Sequence, residues 1–145
     1  MNINKILIVV DDTNSSVKAV QYGFNLARDL GAKVMLLGVI EPESAAGNPD
    51  AGIFPDDALI AIKDRTGAFL TQMESAYAKS VQTELHLEAG DIQPTIVKTI
   101  GDWGAGMVVV GTHDRSGLSK LLTGNIVGSI IQHSPVPVCF VPPGK

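Results

Sequence analysis

Residues Met107 to Gly128, MVVVGTHDRSGLSKLLTGNIVG, decide the fold. Four apolar residues, three of them β-branched, run into Gly111 and predict a buried strand. A polar, glycine-containing segment then leads to Gly124, where an apolar helical pattern begins and continues to His133. A strand, a loop and a helix start in this order offer backbone N–H groups and the positive end of a helix dipole to an anion, most often phosphate. We therefore expect the main binding site of the chain in this stretch.

The segments on either side of this stretch alternate between strand and helix patterns. The first two strand patterns are continuous apolar runs, which are typical of parallel strands covered on both faces. The predicted strands are Lys5–Val10, Lys33–Ile40, Val81–Leu87, Met107–Gly111 and Val136–Val141. The predicted helices begin at Asn14 or Ser15, at Asp56, just after Gly90-Asp91 and at Gly124. Their buried faces are expected to include Leu30 in the first helix and Ile126, Val127, Ile130 and Ile131 in the last.

Five strands alternating with four helices predict a doubly wound α/β fold, in which helices cover both faces of an open parallel sheet. The third strand alternates polar and apolar residues, and Pro135, Pro137 and Pro142 surround the fifth, so we expect both strands at sheet edges. A loop rich in proline and glycine, from Glu41 to Pro55, follows the second strand and is a candidate flap over a ligand crevice. We expect residues 1–145 to form one domain.

The composition is that of a globular protein, with 45% hydrophobic and 18% charged residues. The net charge is −4 and the eleven basic residues are scattered, which argues against a nucleic acid or an anionic membrane as partner. No apolar stretch approaches the ~20 residues of a membrane span, and no signal-peptide pattern is present, so we expect a cytoplasmic protein. The single cysteine, Cys139, lies in an apolar run and is expected to be a buried small hydrophobe rather than a reactive thiol.

The loop after the fourth strand resembles that of the universal stress proteins. In that family the loop carries three glycines, and the last is followed by Ser or Thr. Gly111 and Gly124 occupy the first and third glycine positions. Asp114 stands in place of the second glycine, and Asn125 in place of the hydroxyl residue. Two residues separate Gly111 from Asp114 and nine separate Asp114 from Gly124, which is the spacing of the family.

Further segments resemble the same family in order and spacing, so the resemblance covers essentially the whole chain. They are Ile6–Asp11 (ILIVVD), Leu36–Ile40 (LLGVI), Gly90-Asp91, Val108–His113 (VVVGTH) and Ser134–Pro142 (SPVPVCFVP). The resemblance implies an adenine nucleotide alpha hydrolase-like fold with strand order 3-2-1-4-5. It also implies a homodimer joined along the fifth strand, with Val136, Val138 and Phe140 at the dimer edge, and a protein partner that the sequence does not identify. Pairing there is physically reasonable because an apolar edge strand needs a cover.

The resemblance further implies a nucleotide site, which is transferred position by position. Asp11 matches a residue that contacts the nucleoside, and Val39 matches one that contacts adenine. The residues that would surround the phosphates are Gly111, Thr112, Arg115, Gly124, Asn125 and Ile126. From its sequence context alone, Asp11 fits better as a helix-capping or turn aspartate.

Asp114 is the main departure from the site of the family. A carboxylate about 4 Å from a triphosphate would oppose binding by on the order of several kcal/mol at an effective dielectric near ~20, whereas a bound Mg²⁺ would reverse the sign. Two versions of the function therefore stay open. One is a regulatory switch that binds ATP with Mg²⁺, and the other is a form that has lost the nucleotide and acts by protein contacts alone.

Other classes of function have less support. His86, His113 and His133 have no further ligand at metal-binding spacing, and the chain shows neither a nucleophile elbow nor a glycine fingerprint after its first strand. A phosphoacceptor receiver domain would explain the acidic pair after that strand, but it requires an aspartate ending the third strand and a lysine ending the fifth. Around Asp50 there is only a Pro/Gly loop, and the fifth strand ends in two prolines. We expect no enzymatic turnover; a slow ATPase stays open, although no general base is placed for it.

Overall fold

A computed structural model describes residues 3–11, 14–41, 50, 52, 55–111 and 124–142 of the protein. Within these ranges the chain alternates between five strands and four helices, as predicted. The strands are β1 (Lys5–Val10), β2 (Lys33–Ile40), β3 (Thr83–Ala89), β4 (Met107–Gly111) and β5 (Val138–Val141). The helices are α1 (Asn14–Leu30), α2 (Pro55–Tyr77), α3 (Ile92–Trp103) and α4 (Gly124–His133). None of these helices has both the length and the apolar character that crossing a membrane requires.

The described strands form one parallel sheet in the order β3-β2-β1-β4-β5. β1 occupies the centre, where it pairs with β2 on one side and with β4 on the other. Parallel neighbours cannot be joined by tight hairpins, so each crossover uses one helix. The strand order and the doubly wound α/β class predicted from the sequence are both confirmed, and β3 and β5 lie at the edges of the sheet as expected.

A hydrophobic core lies on each face of the sheet. Successive residues of a strand point to opposite faces. Ile8 of β1 therefore joins the core that includes Phe24 of α1 and Leu70 of α2. Leu7 joins the opposite core, which includes Ile130 of α4 and the buried residues of α3. All five of these side chains are almost completely buried, which explains why the central strands are continuous apolar runs in the sequence.

Both edge strands begin two residues later than the sequence patterns predicted. β3 starts at Thr83 because a hydrogen-bonded turn after α2 still holds Val81. β5 starts at Val138 because Pro137 has no N–H to donate to a ladder. Cys139 of β5 is partly buried against the core on the α1 face, so it is less enclosed than the sequence predicted.

Two residues of the helices differ from expectation. Leu30, predicted on the buried face of α1, is the last residue of that helix and is 46% exposed. Ile131, predicted to be buried together with Ile130, is 60% exposed. Neighbouring residues lie about 100° apart around a helix, and the face of α4 that is buried is narrow enough to include Ile130 but not Ile131. α3 ends at Trp103, because Gly104 adopts the left-handed conformation that stops the helix.

Two close contacts hold the first helix in place. A Cβ at Gly23 would lie 2.8 Å from Ile8 Cγ1, so the glycine allows α1 to approach the central strand. Arg28, in the last turn of α1, donates to the carbonyl of Tyr77 and, at 2.9 Å, to that of Lys79 at the end of α2. Helix C-termini leave carbonyls without intrahelical partners, and a cation is favourable there. The guanidinium therefore joins α1 to α2.

Candidate functional site

From the strand order, a ligand crevice is expected at the carboxyl ends of β1 and β4. The chain leaves β1 toward β2 and β3 on one side and then returns to β4 and β5 on the other. Connections that diverge from two adjacent parallel strands leave a crevice outside their carboxyl ends, where open α/β sheets bind ligands. Asp11 directly follows β1 and Gly111 ends β4, so both residues border this crevice.

Strand pairing brings Val39 to the same carboxyl-terminal end of the sheet. β1 and β2 are in register at Val10↔Gly38, so the next residues along the two chains are Asp11 and Val39. Val39 is half-buried and packs against the core on the face of α3 and α4. Gly111 is buried at the end of the neighbouring strand. Three residues that the family resemblance assigned to a nucleotide therefore converge at one place.

A serine that the sequence analysis did not single out holds Asp11. Ser16 Oγ donates to Asp11 Oδ1 at 2.9 Å and accepts from the Asp11 N–H at 2.9 Å. Ser16 lies in the first turn of α1 and is 4% exposed, so these bonds close the turn between strand and helix and orient the carboxylate. This agrees with the turn role that sequence context favours, and an oriented carboxylate can also accept from ribose hydroxyls. The signal for Ser16 was a hydroxyl residue at the start of a predicted helix.

The phosphate side of the predicted site is described only in part. Gly124 begins α4, as predicted, and α4 packs on the same face as α3 through Ile130. Several predicted positions lie outside the described residues: Thr112, Asp114, Arg115, the side chains of Asn125 and Ile126, and most of the loop from Glu41 to Pro55. Their roles stay predictions.

β5 pairs with β4 along one side, and its other side is the edge of the sheet at which the dimer is predicted. Val136, Val138 and Phe140 are half-buried and pack against the core on the face of α3 and α4. Val138 and Phe140 belong to β5, whereas Val136 precedes it. These positions are consistent with an edge that a second copy would cover, and the dimer itself stays a prediction.

A cavity that the sequence did not predict lies between β3 and α3, and its volume is about 450 Å³. We call it the β3–α3 groove. The residues that give it its character are Met35, His86, Glu88, Lys98, Asp102 and Trp103. The register of β3 against β2 explains which β3 side chains face the groove. Glu84 pairs with Met35 and His86 pairs with Leu37, and Met35 and Leu37 both belong to the core on the α3 face. The polar residues of β3 thus lie on that face, while Leu85 and Leu87 pack on the other.

Hydrogen bonds fix the aromatic wall of this groove. Trp103 Nε1 donates to Glu84 Oε2 at 3.0 Å, and this bond is the main cause that lowers the pKa of Glu84. His86 Nε2 lies 3.4 Å from the other carboxylate oxygen of Glu84. From the far side, Lys5 Nζ donates to the Trp103 carbonyl at 2.9 Å and lies 5.2 Å from the centroid of the indole ring. The indole is therefore held from two directions.

The helical wall carries an ion pair. Lys98 Nζ donates to Asp102 Oδ2 at 2.8 Å, one turn along α3. This hydrogen bond is the first cause that raises the pKa of Lys98, and the charges of Asp102 and Glu88 add to it. The sequence contained the two parts of the groove as separate patterns. One is the alternation of polar and apolar residues along β3, and the other is the oppositely charged pair Lys98 and Asp102, four residues apart on α3. It did not show that the two polar surfaces face each other.

The described histidines have ordinary hydrogen-bonding surroundings. His86 contacts Glu84, and His133 Nδ1 lies 2.9 Å from the carbonyl oxygen of Ser129. The described ranges contain no cluster of three or more His, Cys, Asp or Glu side chains that could hold a metal ion. His113 lies outside those ranges.

Comparison with known proteins gives one consistent result. The model of the universal stress protein family matches residues 2–142. Universal stress protein YxiE of Bacillus subtilis is 27% identical over 145 residues, which is 95% of this chain and 98% of the relative. The solved structure of UspA from Lactobacillus plantarum aligns with a TM-score of 0.81 at 18% identity, over 97% of this chain and 99% of that one. The universal stress protein of Archaeoglobus fulgidus in complex with dAMP aligns with a TM-score of 0.67 at 19% identity, over 97% and 99% of the two chains.

Proposed function

Because the chain belongs to the universal stress protein family, we propose that it is a stress-response protein that binds an adenine nucleotide in the crevice between β1 and β4. The observation that carries this proposal is the convergence of Asp11, Val39 and Gly111 at one edge of the sheet. The dAMP complex of the relative from Archaeoglobus fulgidus supports the class of ligand. The bound nucleotide would act as a regulatory switch for a protein partner, without turnover.

The nucleoside and the phosphates would use different parts of the crevice. Asp11, held by Ser16, would accept hydrogen bonds from the ribose hydroxyls, and Val39 would contact adenine. The phosphates would extend past Gly111 to the N-terminus of α4 at Gly124, where backbone N–H groups attract anions. The remaining residues of the proposed phosphate site are Thr112, Arg115, Asn125 and Ile126.

Asp114 would make the affinity depend on the number of phosphates and on the metal. Its carboxylate would oppose a triphosphate by on the order of several kcal/mol at about 4 Å and an effective dielectric of ~20. Mg²⁺ on the phosphates would reverse that sign, since Mg²⁺ in proteins is commonly held by one or two carboxylates together with substrate phosphates. ATP with Mg²⁺ is therefore the proposed ligand, and metal-free ATP should bind more weakly than its magnesium complex.

Calorimetric titration of the nucleotide-stripped protein tests this proposal. We expect saturable binding of ATP with Mg²⁺, a large loss of affinity for ATP when EDTA removes the metal, and little effect of the metal on AMP. Asp114→Gly should remove most of this dependence on the metal. Asp11→Ala should weaken the binding of every nucleotide. Asp29→Asn, which alters an exposed carboxylate of α1, is the matched control and should leave the affinities unchanged.

The same titration separates the two versions of the function. Binding by Asp114→Gly but not by the natural protein would mean that the chain has lost the nucleotide and acts by protein contacts alone. No binding by either protein would show that the phosphate site is wrongly placed. Release of phosphate from ATP, measured in parallel, would reveal any slow hydrolysis; we expect none above background.

A homodimer joined along β5 is the second part of the proposal. Val138 of β5 is half-buried, and Ile131 on the preceding helix is 60% exposed; a second copy that covered them would remove apolar surface from water. Analytical ultracentrifugation should show a dimer, and Val138→Lys should shift it to monomer. Ile60→Lys is the matched control, because Ile60 is 57% exposed on α2, away from β5, and should leave the dimer intact. A natural protein that sediments as a monomer would contradict this part.

We place the protein in the cytoplasm, as one domain of residues 1–145.

A further inference from the structure

We propose that the β3–α3 groove is a second binding site, which takes a small organic cation that carries a protonated amine or guanidinium group. The groove lies between β3 and α3, whereas the proposed nucleotide crevice lies at the carboxyl ends of β1 and β4. It extends from Met35, near the start of β2, to Glu88 of β3, which pairs with Val39, so one end of it lies beside the position assigned to adenine. Its lining contains none of the residues assigned to the nucleotide, so the proposal is tested without nucleotide.

The groove has the size and the surfaces of a small-ligand site. Its volume of about 450 Å³ falls within the range of roughly 300–1,000 Å³ that such pockets occupy. Met35, which is 2% exposed, provides an apolar contact for a carbon chain. Trp103 provides an indole surface that is fixed by its hydrogen bond to Glu84, and Lys5 Nζ already lies 5.2 Å from the ring centroid. A cation within about 6 Å of an indole centroid is attracted by the ring quadrupole.

The charges of the groove favour a positive ligand. Lys98 is already paired with Asp102, and Glu84 accepts from Trp103. Glu88 lines the same groove and has no hydrogen-bonded or ion-paired partner among the described side chains. Its charge acts on Lys98 across the groove. Glu88 is therefore the carboxylate that is available to a ligand.

Hydroxyl groups on the helical wall add acceptors for the same ligand. Thr95 and Thr99 line the groove, and Thr99 Oγ1 donates its proton to the Thr95 carbonyl at 2.8 Å. A hydroxyl that has donated its proton offers only lone pairs to a third group. An amine or guanidinium, which carries several N–H donors, matches that arrangement. An anion would instead have to compete with Asp102 for Lys98 and lie close to Glu88.

Trp103 makes the proposal directly testable because it is the single tryptophan of the chain. Its fluorescence should change saturably when the intact protein is titrated with agmatine, which carries an amine and a guanidinium, or with spermidine. The response should weaken as ionic strength rises, since the carboxylates are largely exposed. Glutarate, an anion of similar length, should give no saturable change. A response to glutarate and none to agmatine or spermidine would overturn the proposal.

Two variants should change the affinity in opposite directions. Glu88→Gln should weaken binding of the amine by roughly tenfold or more, because a charge-assisted hydrogen bond is lost. Lys98→Met should strengthen binding, because it removes the competing cation and releases Asp102. Asp64→Asn, an exposed carboxylate of α2, is the matched control and should have no effect.

The outcomes are distinguishable from those of the nucleotide titration. Amine binding is measured in the absence of nucleotide, and Lys98→Met should not change the affinity for ATP. Circular dichroism of Glu88→Gln and Lys98→Met should match that of the natural protein. The proposal is wrong if no amine gives a saturable response, or if Glu88→Gln and Lys98→Met bind the amine as the natural protein does.

Discussion

Replacing Gly23 by alanine tests whether the close approach of α1 to β1 is required by the fold. Gly23 is a buried residue in the interior of α1. The added Cβ would lie 2.8 Å from Ile8 Cγ1 and closer still to Ile8 Cδ1, while its distance to Val109 Cβ, 3.8 Å, is an ordinary contact. Carbon atoms attract one another best at about 3.5–4.0 Å, so the methyl group would clash with Ile8 alone.

Two opposing effects determine the magnitude. Alanine is favoured over glycine in a helix interior by about 1 kcal/mol. Extra carbon atoms in a well-packed core typically destabilise by about 1–3 kcal/mol. Ile8 is 0% exposed in the central strand, so its side chain can turn aside only by displacing other side chains of a close-packed core. The clash should therefore exceed the gain, and we expect a net loss of up to about 2 kcal/mol, or a fall in Tm of up to roughly 8 °C for a domain of this size.

Urea and thermal unfolding of three further variants check this reasoning. Gly101→Ala is the matched control: it adds the same methyl group on the exposed side of α3, where nothing lies within 4 Å, and should stabilise by up to about 1 kcal/mol. Ile8→Val removes the closest atom and alone should destabilise by about 0.5–1.5 kcal/mol. In the Gly23→Ala background the same change should be harmless or stabilising. A Gly23→Ala protein as stable as the natural one, or stabilised like Gly101→Ala, would refute the argument.

Three other predictions concern single contacts. Arg28→Met keeps the apolar stem but removes the hydrogen bonds to the end of α2, and should lower the free energy of unfolding in urea by about 1 kcal/mol. Ser80→Gly should raise Tm, because Ser80 has φ 66° and glycine relieves about 0.5–1 kcal/mol of strain there. Glu84 has a lowered pKa in the folded state, so its stabilising effect is present above its unfolded pKa of about 4.3 and is lost as pH falls through the folded value. Trp103 fluorescence should therefore change in that acidic range, and Glu84→Gln should abolish the transition.

The parts of the fold that the sequence predicted are those decided by local pattern. β1 and β2 are buried on both faces, so their apolar runs contained enough information to place them. The predicted start of β5 was wrong because the true start depends on one missing backbone N–H, that of Pro137. The predicted burial of Ile131 was wrong because helical periodicity alone does not show how wide a face of the helix the sheet covers. Ser16 and the β3–α3 groove were missed because each depends on a contact between elements, which no single segment contains.

The two halves of the proposed nucleotide site have different physical origins, and this makes them separable by experiment. The nucleoside half is built from residues whose positions follow from strand register and from the bonds between Asp11 and Ser16. The phosphate half depends on the chemistry of individual residues in the connection from β4 to α4, where Asp114 and Asn125 depart from the family pattern. Substitutions in that connection should therefore change the preference among AMP, ADP and ATP while the affinity for adenosine stays constant. Ser16→Ala should have the opposite effect. It should lower the affinities for adenosine and for ATP by the same factor, because it loosens the Asp11 carboxylate that would contact the ribose of both ligands. Unequal losses for the two ligands would mean that Ser16 also acts on the phosphates, and the division between the halves would then be wrong.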